Sequence, residues 1–253
     1  MPNFINDTNR QGLIVWGGEA STDYGIVVGD APAFDKPARR ETVFNVPGRN
    51  GSVLFTDGSF EDVVRSYSVW LAEDITEESG VYSGALDERI AAFTAWLYSK
   101  KGYQRLEDSF DPEFFRLAYY TGGEEIANHL MQYGDTTISF VCRPERFYKN
   151  AESAVIVTNG STMTNPTKFD SKPLIHIEGS GNVSISISGV TMSATISDYI
   201  NIDCDRMDAY RLPTENKNGT ISGSFPVLKS GSNSIALTGT ITKATIVPRY
   251  FTI

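Results

Sequence analysis

Adjacent carboxylates recur through the first half of this sequence, at Glu61-Asp62, Glu73-Asp74, Glu77-Glu78 and Glu124-Glu125. Two carboxyl groups flanking a glycosidic bond can act as acid and base, so each pair is a glycosidase candidate on chemistry alone. Their abundance dilutes the signal: neighbouring acids in turns are ordinarily solvated surface, and no aromatic sugar platform sits beside any of these pairs. Nucleophilic chemistry is scarcer still. His129 and His176 are the only histidines, and neither accompanies a G-x-S-x-G or other nucleophile motif. His176 falls in the strand-like run Leu174–Ile177, where a structural role is expected, and His129 lies in a polar stretch where exposure is expected. Asp203, Asp205 and Asp208 could converge on a cation. The spacing lacks the central Gly and terminal Glu of an EF-hand loop, so they read as the polar face of a strand entering a loop. No Cys/His grouping has zinc spacing, and Gly122-Gly123 precedes acids where a phosphate-binding loop would carry Lys. The expectation is a protein with no catalytic site, no cofactor and no metal.

The bulk properties agree with a binding or structural role. The 253 residues are 40% hydrophobic and 21% charged, in the range of globular proteins, and suffice for a large core without metals or disulfides. Net charge is -9, which argues against tight nucleic-acid binding, since gripping phosphates relies on Lys and Arg. No apolar run approaches the roughly 20 residues of a membrane span, and Met1–Arg10 carries no apolar signal core, so neither insertion nor export is expected. Cys142 and Cys204 both sit in strand-like apolar runs, which suits two buried thiols and folding in a reducing cytoplasm.

The elements that would position any site divide into two regions. Up to Phe147 there are 23 Asp+Glu against 13 Lys+Arg, with 19 Ser+Thr and all three tryptophans; the remainder has 8 acids, 9 bases, 27 Ser+Thr and no Trp. This shift predicts a boundary between domains at 1–147 and 148–253. In the first, Thr42–Val46 and Ser52–Phe55 flank Pro47-Gly-Arg-Asn-Gly51 as a β-hairpin, with a second turn expected at Asp57-Gly58 and a strand at Tyr67–Leu71. Leu86, Ile90, Phe93 and Leu97 recur at four, three and four residues, the stripe of one helix. Ser83 is its expected N-cap, Asp87 and Glu88 its first-turn acids, Lys100 and Lys101 its last-turn bases, and Gly102 its left-handed terminator. Phe114–Tyr120 and Thr137–Cys142 read as further strands. Beyond Ala154 the pattern is almost purely β: in Val183–Ser188 apolar residues alternate with serines. Short runs at Ala154–Val157, Leu174–Ile177, Thr191–Ile196, Tyr199–Asp203, Ile235–Thr238 and Ala244–Val247 predict a β-sandwich. The fold class is therefore mainly β with one helix, an α+β domain followed by a sandwich.

Three stretches resemble the distal tail proteins of phages that infect Gram-positive bacteria. Arg39–Gly51 with Asp57–Phe60 is similar to that family's "vPGRnG" hairpin and the acidic turn after it. Ile138–Tyr148 is similar to the strand ending its N-terminal domain. Phe225–Ile235 with Ile246–Tyr250 is similar to its "fP.L..G.N.i" and closing "i.PR(W/Y)". The resemblance implies an N-terminal domain forming a homo-hexameric ring, single or stacked as a dodecamer, with galectin-like or carbohydrate-module-like sandwiches outside it. Such a ring in the virion tail tip would join the major tail tube protein to the tail-associated hub protein, with receptor-binding or baseplate proteins as further partners. A long inserted arm for those partners has little room in the second domain. Edge strands favour closed rings, in which each edge is covered by a neighbour. The candidate subunit contact is the hairpin, with Val46, Pro47, Gly48, Arg49, Asn50 and Gly51 at its tip. Acidity at Glu61, Asp62, Glu73 and Asp74 would suit a channel through which DNA slides without sticking. The competing readings are a carbohydrate-binding module contacting the host cell wall, and a tail hydrolase.

Overall fold

The computed structural model describes residues 12–33, 36–71, 85–122, 130 and 134–253, and the chain divides into two compact units, Met1–Arg146 with Ile253, and Phe147–Thr252. Each is built around its own core.

The amino-terminal unit is an antiparallel sheet of β1 (Ile14–Trp16), β2 (Glu19–Ala20), β3 (Ile26–Val28), β6 (Val63–Leu71), β7 (Gln104–Asp108), β8 (Phe114–Tyr120) and β9 (Asp135–Cys142), in the order β2-β1-β7-β8-β9-β6-β3. Alternation decides which face is inside. Val63, Tyr67 and Val69 of β6 are buried while Val64 and Trp70, which have the opposite parity, are exposed. The helix α1 (Ala85–Ser99) places Ile90, Phe93, Trp96 and Leu97 in the same core as Ile14, Trp16, Tyr67, Leu106, Ile138 and Phe140. Trp96 meets Trp16 edge-on at 5.9 Å and stacks on Tyr24 at 5.1 Å, so aromatic packing fixes the helix on the sheet. Ser83 and the side chain of Leu86 lie outside the described residues. The helix stops at Ser99, so Lys100 and Lys101 follow it instead of occupying its last turn; Gly102 takes φ +68°.

The hairpin forms, as a separate two-stranded sheet of β4 (Arg39–Phe44) and β5 (Val53–Phe60). The turn expected at Asp57-Gly58 does not break it. Gly58, at φ +81°, sits inside β5 where the register with β4 shifts, and Asp57 accepts hydrogen bonds from the Ser59 backbone N–H and hydroxyl at 2.8 and 2.6 Å. Turn chemistry here makes a bulge, which bends a strand without ending it.

The second unit begins at Phe147, within β10 (Arg146–Tyr148), which pairs with the closing strand β19 (Phe251–Thr252). Between them lie β11 (Val155–Val157), β12 (Thr162–Asn165), β13 (Leu174–Ile187), β14 (Val190–Ile196), β15 (Tyr199–Asp203), β16 (Asp208–Tyr210), β17 (Ile221–Gly223) and β18 (Gly231–Val247). The two long strands β13 and β18 run antiparallel and shift register near Glu178–Ser184. The two halves of β13 take different partners within one eight-stranded sheet: Leu174–Glu178 pairs with β15, and Gly181–Ile187 with β14. The sandwich therefore folds on bent strands. Ile175, Ile177, Val183, Ile185, Ile187, Ile200, Ile202, Ile235 and Ile246 meet in one core. The runs 174–177 and 183–188, read from sequence as two strands, are one strand, as are 235–238 and 244–247.

Candidate functional site

The hairpin β4–β5 is the feature of the described residues that most needs an explanation. Its tip is fixed locally: the Arg49 N–H donates to the Val46 carbonyl at 3.1 Å, and the Ser52 hydroxyl donates to Asn45 Oδ1 at 2.7 Å across the loop. Gly48 and Gly51 adopt φ of +79° and +78° with open space around each, so glycine is required there by conformation and not by crowding. Val46, Pro47, Gly48, Arg49, Asn50 and Gly51 are all exposed.

Behind the tip the strands carry an unusual load. Cross-strand pairs Thr42–Phe55 and Phe44–Val53 share one face, and Val43–Leu54 the other. Exposure reaches 56% at Val43, 52% at Phe44, 53% at Leu54 and 61% at Phe55, and Val46 at the tip is 45% exposed. Phe44 and Phe55 touch only edge-on across the hairpin, with ring centroids 5.6 Å apart. Both faces are thus apolar and both are wet. A two-stranded ribbon is marginal alone in water, and a concentrated apolar patch marks an interaction surface. The base is polar by contrast. Arg40 pairs with Glu61 at 3.1 Å, Arg39 lies 5.0 Å over the Phe60 ring, and a shallow groove runs between Arg40, Thr42, Phe55 and Asp57. The hydroxyl and N–H of Ser59 hold the Asp57 carboxyl below its ordinary value.

The other sequence candidates do not assemble a reactive centre. Glu61 is engaged by Arg40; Glu73, Asp74, Glu77, Glu78, Glu124, Glu125 and His129 lie outside the described residues. His176 stands on the open face of the first sheet half, its Nδ1 2.8 Å from Asn201 Oδ1 and its Nε2 3.3 Å from Glu178, which also takes Lys243 at 3.3 Å. Beside it, Arg211 pairs with Asp198 and lies 5.5 Å over the Tyr199 ring. The polar groups of that face are committed to one another. Asp203 is buried and takes both nitrogens of Arg249 at 2.7 and 3.0 Å, Asp205 meets Lys172 at 3.3 Å, and Asp208 accepts from Asn218 at 2.8 Å. Each of the three aspartates therefore has a different partner. Cys142 and Cys204 are free and buried, and burial pushes their thiols up to about 11 and about 12.

These features define a mostly β, two-unit protein with one helix among the described residues, and a hairpin that exposes apolar side chains on both faces. No family model and no curated protein matches the chain. Among solved structures it is similar to the crystal structure of the SPP1 Dit (gp 19.1) protein, described as a paradigm of the hub adsorption apparatus in Gram-positive infecting phages. The TM-score is 0.72 with 14% identity, over 96% of this chain and 99% of that one. The chain has a Dit-like fold.

Proposed function

We propose that this chain is a structural component of a phage tail tip, a distal tail protein and not an enzyme. Its amino-terminal domain forms a homo-hexameric ring between the major tail tube protein and the tail-associated hub protein, and DNA passes through the opening. The carboxy-terminal sandwich faces outward, where baseplate or receptor-binding proteins would meet it. The observation that carries this reading is the hairpin β4–β5, whose two faces expose Val43, Leu54, Phe44 and Phe55 at once. A surface covered on both sides in a head-to-tail contact fits a closed ring, where every subunit gives one hairpin and receives one. The Dit-like fold over nearly the whole chain supports it. The acidic balance of residues 1–147 supports a DNA-conducting opening, because carboxylates repel phosphates. A lectin role has less behind it, since His176, Asn201, Glu178 and Arg211 are already paired among themselves.

Mass measurement in solution tests the proposal. A hexamer or a stacked pair of hexamers is expected, and a monomer persisting at high concentration would overturn it.

A further inference from the structure

Arg116 is a buried charge with no neutralising partner among the described residues. It lies on β8 opposite Leu106 of β7, on the core side of the sheet, with 7% of its surface exposed. The charges around it are matched. Arg65 bonds Asp108 through two nitrogens at 3.1 and 2.8 Å, and Tyr67 donates to the same carboxylate oxygen at 2.9 Å. Arg146 reaches Asp111 at 2.6 and 3.1 Å. Among the described residues no hydrogen bond, ion pair or ring contact holds the Arg116 guanidinium. Burial and the like charges of Arg65 and Arg146 push it below its ordinary value, and its other electrical neighbours, Cys142 and Tyr67, are neutral because burial raises both.

The Arg116 guanidinium therefore sits close to the Arg65–Asp108 pair without sharing its carboxylate, and only 7% of the residue is exposed. A lysine so placed could shed its proton, but arginine stays charged in proteins, so an anion is the group that would neutralise it. The guanidinium presents its donors as a planar fork that matches a carboxylate or phosphate-like oxyanion. The residual exposure of Arg116 is small, which limits the ligand to a group that can present one oxyanion end.

We propose that Arg116 is the floor of a small-anion site, which takes one carboxylate or tetrahedral oxyanion and balances the positive charge left over by Arg65, Asp108 and Arg116. The same chemistry has two sources: a free ion, or an acidic side chain of a second copy of this chain. The site itself does not depend on the ring reading.

Thermal unfolding of the full chain, titrated with acetate and with inorganic phosphate at fixed ionic strength, tests it against Arg116→Met. The wild type is expected to gain on the order of 5 °C at an anion concentration about a hundred times its Kd, saturably, and Arg116→Met to lose that response. Arg116→Met fills similar space without a charge, and its unfolding temperature in the absence of added anion should equal or exceed that of the wild type. Arg116→Lys keeps the charge without the fork and should need at least tenfold more anion. Identical responses of wild type and both variants would overturn the proposal. A response confined to dilute, dissociated subunits assigns the occupant to a neighbouring copy, and one unchanged in the assembled state assigns it to a free ion.

Discussion

Replacing Phe44 and Phe55 together by Ser should dissolve self-association while leaving the subunit folded. The two rings are 52% and 61% exposed in the single chain. A Phe side chain presents roughly 200 Å², so about 100 Å² of each ring remains to be covered. At about 25 cal/mol per Å² that is about 5 kcal/mol for the pair. Ordering of side chains and loss of rigid-body freedom offset a large part, and retaining half still corresponds to roughly a hundredfold in Kd at each interface. A closed ring multiplies the loss over every interface. Within the subunit the cost is only the edge-on contact between the rings, about 1 kcal/mol or less, in a hairpin that belongs to neither core. Sedimentation velocity over a concentration series reads the association, and urea unfolding of the same samples reads the fold. If the double variant assembles with the wild-type Kd, the apolar faces of the hairpin are not the contact and the reasoning is wrong.

Three further outcomes follow from buried groups. Asp108→Ala should destabilise the amino-terminal unit by roughly 3–5 kcal/mol in urea, because it strands Arg65, which is 3% exposed at its side chain; a loss under 1 kcal/mol would mean the pair contributes little. In the second unit, burial alone would raise the Asp203 carboxyl, but Arg249 and the backbone N–H groups of Arg206 and Asp205 outweigh it and hold the group below its ordinary 3.8. A depressed folded value contributes stability above the unfolded pKa and loses it as pH falls through the folded one. Stability of that unit should therefore drop below about pH 4, a drop that Asp203→Asn should flatten, and equal acid sensitivity in both proteins would contradict this. Cys142 and Cys204, pushed by burial to about 11 and about 12, should resist a thiol reagent at pH 8 in the native chain and both react in denaturant; rapid native labelling of either would refute their burial.

Regular periodicity made much of the fold legible. The stripe Ile90, Phe93, Leu97 is the buried face of α1, and Val183, Ile185 and Ile187 point into the sandwich core as their alternation with serines requires. What failed was the reading of punctuation. Gly179-Ser-Gly181 has the composition of a turn, yet the chain runs through it as one strand. The reason is steric: a Cβ on Gly179 would lie 2.2 Å from the Thr240 carbonyl oxygen, so glycine is there to let β18 approach at a bend. Gly239, with φ +95°, does the same on the opposing strand, since a Cβ there would lie 2.3 Å from the Asn182 carbonyl oxygen. Composition cannot distinguish a glycine that reverses the chain from one that admits a neighbour's backbone, because both need the missing side chain and only the second depends on a partner distant in sequence.

The hairpin shows the same limit from the other side. Its tip residues 46–51 are visible through Pro47, Gly48 and Gly51, but turn chemistry alone does not say what the strands behind them touch. The signal was present: Val43-Phe44 and Val53-Leu54-Phe55 are consecutive apolar residues, which put hydrophobic groups on both faces instead of one. Such a run predicts a strand sandwiched on two sides, and among the described residues β4 and β5 pair only with each other. Among the described residues both apolar faces stay uncovered. Arg116 is the electrostatic counterpart: among the described residues it is buried beside Arg65 and Arg146 with no partner of its own, which is what the anion proposal rests on. A local conflict between residue type and surroundings is, in a folded subunit, information about what it is made to bind.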